Sequence, residues 1–168
     1  MPLIAAACMF ATAQAASSPL FVADRTAGTD PDGQPNTAIF DLRDGTPGHL
    51  FVAPRPSQEP KENLTGFSNL SMSSDGKALY FQTHAWVTSD AVHKVDLSTR
   101  GVSFVTDGDI TCVLRTGRWR GDLVVHRHSY YPQGGSHEDE RLYEPSGRQV
   151  GLVREGEDSA GVCAKLEQ

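Results

Sequence analysis

The chain has 168 residues, with 15 Lys+Arg against 21 Asp+Glu, a formal charge of −6 and 38% hydrophobic residues. That length suits one domain and argues against two full ones. The acidic balance argues against a general nucleic-acid binder, and no run of 18 apolar residues marks a membrane-spanning helix.

Residues 1–18, MPLIAAACMFATAQAASS, are uncharged and mostly apolar. Ala13-Gln14-Ala15 fits the small-x-small pattern that precedes signal-peptide cleavage, so residues 1–18 are expected to be a signal peptide cut near 15–16. The departure is that no Lys or Arg precedes the apolar stretch. Cys8 follows Ala5-Ala6-Ala7 like a lipoprotein acceptor, but the apolar stretch ahead of it is about half the usual length. Export leaves Cys112 and Cys163, most simply one disulfide closing a long loop. The remaining chain, 19–168, is the folded domain, and its expected location is periplasmic or secreted.

Helix-period segments are almost absent after residue 18. Short β-branched and aromatic runs alternate with Gly, Pro, Asp and Ser clusters, which predicts strands and turns. In chain order the strands are 20–23, 37–42, 48–53, 67–72, 78–83, 91–96, 102–106, 110–114, 122–128, 141–144, 150–154 and 161–165. Most are four to seven residues long, as in an all-β meander. Asp75-Gly76 marks a tight turn between two strands, and Asp96 to Gly101 is a polar turn closing a third. Leu123-Val124-Val125 fills the role of Leu79-Tyr80-Phe81 one unit later, and Leu142-Tyr143-Glu144 that of Lys94-Val95-Asp96. Upstream, Leu20-Phe21-Val22 and Ile39-Phe40-Asp41 fill the same two slots. Such units, repeated every 40 to 50 residues, predict propeller-like blades, about three of them.

The phrase Ser71-Met72-Ser73-Ser74-Asp75-Gly76-Lys77-Ala78-Leu79-Tyr80-Phe81 resembles the LSPDGKxLxF core of TolB-like β-propeller repeats. Val95-Asp96-Leu97 is similar to the strand and turn that follow in that family. Ser74 stands where the family usually has Pro, and Arg100 lengthens the turn before Gly101. The resemblance covers about 40 residues and implies protein or cell-envelope binding. It implies an all-β, partial or small β-propeller-like array of about three four-stranded antiparallel units. Three blades are below the usual four to eight, so either the array is compact and partial or two chains, as a homodimer, complete one ring. Cys112 and Cys163 each fall in the expected first strand of a unit, so their bond would tie the terminal strand back onto the last full unit.

Three groups of residues are candidates for chemistry. His126 and His128, two apart on a strand, share one face, and a folded-back loop would add His137 to make a metal site. The alternative is a solvated strand face with a flexible Gly134-Gly135 hairpin. Arg115, Arg118 and Arg120 interleave with Trp119, which suits an interaction hot spot; the bland alternative is a hairpin with Trp119 packed between blades. Trp86 lies in the 83–90 loop and would line a pocket at a blade end. Asp30-Pro31-Asp32-Gly33 resembles the start of a calcium loop but lacks its later ligands. Asn63 and Asn69 head glycosylation sequons, relevant only in a glycosylating host.

The leading expectation is an exported, non-enzymatic, propeller-like binding protein whose partner is a protein or cell-envelope component, with no cofactor, nucleic acid or membrane span. One alternative is a metal-binding protein or hydrolase built on the histidines. Another is a small exported inhibitor or immunity-type protein.

Overall fold

A computed structural model describes residues 20–29, 33, 35–45, 48–156 and 161–168. The expected leader at 1–18 and most of the Asp30 to Gly33 stretch therefore lie outside the described residues. The described chain is all-β, with three antiparallel meander sheets taken strictly in sequence order. Strands β1 (Phe21–Thr29), β2 (Pro35–Asp41) and β3 (His49–Val52) form the first. The second comprises β4 (Ser68–Met72), β5 (Ala78–Thr83), β6 (Ala91–Asp96) and β7 (Val102–Asp107). The third comprises β8 (Asp109–Val113), β9 (Leu123–Tyr130), β10 (Ser136–Tyr143) and β11 (Gln149–Glu155). Among the described residues no sheet closes on itself, and no helix is long and apolar enough to cross a membrane.

Strand alternation in the central sheet creates two separate cores. Leu79, Phe81 and Val95 face the first sheet and pack with Phe21, Ile39 and Phe51. Tyr80, Val92 and Val105 face the third sheet and pack with Ile110, Leu123 and Val125. Residues two apart share a face, so β5 feeds both cores from six consecutive residues, five of them buried.

Turn chemistry fixes the ends of the strands. Asp75 accepts from the Ser73 hydroxyl (2.7 Å) and the Lys77 N–H (3.1 Å), and Gly76 takes the left-handed conformation the turn requires. Asp96 accepts from the N–H groups of Ser98 (2.9 Å) and Thr99 (2.8 Å). The Ser98 hydroxyl, which donates to the same carboxylate at 2.6 Å, and these two N–H bonds hold the Asp96 carboxyl down at about 2. Arg100 occupies a left-handed position (φ 59°) that costs a side-chain-bearing residue, and its guanidinium lies 5.3 Å from the Phe51 ring centre.

Two expectations are corrected. The first sheet has three strands among the described residues, not four. The expected strand at 161–165 is instead a short helix, α1 (Val162–Leu166). Val162 and Leu166, four apart, both pack on the outer face of the third sheet with Leu114, Val124 and Leu142, and helical spacing serves that contact where alternation would not. Gly161, left-handed at φ 72°, turns the chain into the helix. The Cys112–Cys163 disulfide is present, with 6.4 Å between the Cα atoms. It ties this helix, rather than a strand, to β8.

Candidate functional site

The β5–β6 and β9–β10 connections occupy the same slot in successive sheets, so the meander delivers both to one end of the molecule. Thr88 Oγ1 on the first approaches Tyr130 Oη, at the end of β9 where the second begins, at 3.4 Å. Large apolar and aromatic groups are presented here: Trp86 is 39% exposed, Tyr130 68%, and Val87 fully. Trp86 stands between two clefts. The larger, about 770 Å3, is bounded by Ser57, Gln58 and Pro60 from the 53–67 link and by His84, Trp86 and Asp90 from the loop. The smaller, about 340 Å3, runs from Trp86 past Asp107 and Arg127 to Tyr130.

The larger cleft has rigid walls. The Asn63 amide donates to Thr65 Oγ1 (2.9 Å) and to the His84 carbonyl (2.8 Å), and its carbonyl accepts from the Ser57 N–H (3.2 Å). His84 lies against Gly66, which is left-handed; a Cβ there would fall 2.5 Å from the imidazole ring. Trp86 N–H donates to the Ser89 carbonyl at 3.0 Å, closing the loop beneath the indole.

Behind the loop, Gln82 joins two sheets. Its amide donates to Asp90 Oδ2 (3.0 Å) and Asp109 Oδ1 (2.8 Å). Its carbonyl accepts from the Asn69 amide and from the Ile110 N–H (2.8 Å). Asn69 also donates to the Ile110 carbonyl at 2.7 Å. Burial and the nearby Asp90 charge raise the Asp109 carboxyl, against the opposing pull of His126 and the Gln82 bond. A buried amide with every polar group used fixes the relative position of sheets two and three, and with it the position of Asp90.

Strand parity separates the three candidate histidines. His126 pairs with Glu140 and His128 with Glu138 across β9 and β10, so these four share the outer face. His126 Nε2 is 3.0 Å from Glu138 Oε2 and its Nδ1 3.3 Å from Glu140 Oε1, while His128 Nδ1 contacts Glu138 Oε1. Thr111 Oγ1 donates to the fully buried Glu140 at 2.8 Å. His137 pairs with Ser129 and so points to the opposite face, 3.5 Å from Asp139 and stacked on Tyr131 at 4.5 Å. The imidazoles of 126 and 128 meet the carboxylates of Glu138 and Glu140 on one face, and His137 meets Asp139 on the other. Among the described residues no group of three or more His, Cys, Asp or Glu side chains is arranged to hold a metal ion.

The Arg–Trp loop lies at the other side of the third sheet, against α1. Trp119 is half-buried in the packing with Leu114, Val124 and Val162. Arg118 stacks on its ring at 4.6 Å. Arg115 spans the molecule: its N–H donates to the Glu167 carboxylate at the helix end (2.5 Å), and its guanidinium to the Ser73 carbonyl of the second sheet (3.0 Å). Arg120 is exposed. The loop thus clamps the helix, and Trp86 rather than Trp119 is the tryptophan at a cleft. Both sequon asparagines, Asn63 and Asn69, spend their amides on internal bonds.

Sequence reasoning missed Tyr130, Val87, and the Gln82–Asp90–Asp109 hub. The available signal was Tyr130-Tyr131 just before the Gly134-Gly135 hairpin, in the slot that holds Trp86 one unit earlier. No protein-family model, curated protein or solved structure matches the chain.

Proposed function

We propose that this is an exported, non-enzymatic, propeller-like binding protein of the cell envelope that holds its ligand at the Trp86 end. The observation that carries the reading is an exposed Trp86 and Tyr130 on adjacent hairpin loops, flanked by two clefts and backed by a fully bonded polar hub. Exposed aromatics on a rigid frame are what binding surfaces use, because they contribute contact area at little entropic cost. The TolB-like repeat phrase, the in-order stacking of meander sheets and the apolar leader support the propeller and export parts of the reading.

The test is site-specific photo-cross-linking in cells, with the probe placed at Val87, at Tyr130 and, as a control, at the exposed Leu152 on β11. The expected result is one envelope adduct from positions 87 and 130, absent from 152 and absent when Trp86→Ala is added. Equal adducts from all three positions, or none, overturn it. Fractionation completes the test: the mature protein should be periplasmic or secreted and begin near residue 16, and a full-length cytoplasmic product would refute export.

A further inference from the structure

We infer that the larger cleft beside Trp86 is a saccharide-binding site. The inference rests on the Trp86 end being the ligand surface and adds the chemical class of the ligand.

A pyranose ring has a flat face of C–H groups and a rim of hydroxyls. Its site therefore needs an aromatic plate beside neutral and anionic hydrogen-bonding groups. The half-exposed Trp86 indole is the plate, on a loop whose backbone is closed by the Trp86 N–H bond to the Ser89 carbonyl. Ser57, Gln58, His84 and Asp90 line the same cleft as hydrogen-bonding groups. Asp90 is held by Gln82 through Oδ2, so a carboxylate able to take a pair of hydroxyls is already positioned. Pro56 and Pro60 stiffen the far wall, and the Asn63 bonds tie it to His84. Such preorganisation lowers the ordering cost that weakens most sugar complexes. The cleft volume of about 770 Å3 falls in the small-molecule range of about 300–1,000 Å3.

The same wall disfavours other ligands. Among the described residues no Lys or Arg lines the cleft, so a phosphate, sulfate or nucleotide would meet no counter-charge there and would face the Asp90 carboxylate. An apolar chain would cover Gln58 and Asp90 without giving them partners, and a proline-rich peptide, which has carbonyls but no N–H groups, would leave the Asp90 carboxylate without a donor, at the desolvation cost of each unpaired group.

The experiment is calorimetric titration of the full mature chain with maltotriose, cellotriose and triacetylchitotriose, with deca-proline as a parallel probe. At least one trisaccharide should bind saturably at sub-millimolar to millimolar concentration. Trp86→Ala should weaken that binding by about tenfold or more, with the unfolding midpoint unmoved. Gln58→Ala, which touches no internal bond described above, should weaken it in the same direction. If no trisaccharide binds while deca-proline binds in a Trp86-dependent way, the saccharide assignment is overturned and the Trp86 surface stands. If a trisaccharide binds but Trp86→Ala leaves its affinity unchanged, the site is elsewhere and the inference falls. If no probe binds and the cross-linkers at 87 and 130 also find nothing, both readings fall.

Discussion

His93 should give the protein an acid-sensitive joint. It is 1% exposed between the first two sheets, stacked on Phe81 (5.6 Å) and edge-on to Phe104 (5.9 Å). Its Nε2 is buried without a hydrogen-bond partner among the described residues. Burial, and secondarily the Arg55 charge, push its pKa down from 6.5 to about 4. The folded value lies below the unfolded one, so on acidification the unfolded chain takes up the proton first. Stability is intact above about pH 6.5 and drains away as the pH falls toward 4. From pH 7 to pH 5 this single group should remove about 2 kcal/mol. His93→Leu keeps the volume roughly constant and removes the titration. Urea unfolding of both proteins at pH 7 and pH 5 provides the assay, because offsets from packing cancel in the difference of differences. Asp41, held down by Arg43, and Asp139, where burial pushes up but Arg141 with the nearby His137 and Arg127 charges pulls the carboxyl down further, titrate at lower pH and equally in both proteins. Parallel pH dependence in wild type and variant would refute the reasoning.

Gln82→Leu should destabilise the fold by about 3 kcal/mol, since the Ile110 N–H and the Asn69 amide lose an acceptor and two carboxylates lose a donor. A urea midpoint within error of wild type would contradict the hub. Replacing Cys112 and Cys163 by Ser should cost up to about 4 kcal/mol, from the 51-residue separation the bond spans. In a Trp86→Phe background the Trp119 emission should then shift red as α1 undocks, and unchanged emission would show that the helix stays without its tether. Gly147→Ala should cost about 2 kcal/mol, because Gly147 is left-handed and its Cβ would press on the Val105 carbonyl. Gly76→Ala, equally left-handed but facing open space, should cost about half as much. Similar thermal midpoints for the two variants would count against the contact.

Legibility in the sequence followed local chemistry. The bounds of β5 and β6 agree with the expectation because Asp75-Gly76 and the Asp96 turn bracket aromatic and β-branched runs, and no distant contact is needed to place them. The last element misled because Gly161 to Lys165 alternates apolar and small residues. Only the position of Leu166 over Leu114 and Val124 reveals helical spacing. The separation of His137 from His126 depends on the register across the β9–β10 hairpin, which its sequence leaves open. Trp86 was recognisable as a loop tryptophan. Its neighbour Tyr130 was not, since 42 positions separate Tyr130 from the Thr88 it touches. Trp119 carried the stronger motif by composition, yet the helix that covers it was itself misread.

With one apolar core between the first and second sheets and another between the second and third, the described molecule is a short row of links. The links are not equal. Between the second and third sheets runs the Gln82 network, reinforced by the Arg115 strut. The first and second sheets meet largely through apolar packing that encloses His93. Acidification should therefore loosen the row at one place, and the first sheet should exchange its amide hydrogens well before the other two. The Trp86 and Tyr130 aromatics both belong to the sturdier pair, whereas the far wall of the larger cleft is the 53–67 link that leads out of the first sheet, so acid should open that cleft before it disturbs the two aromatics.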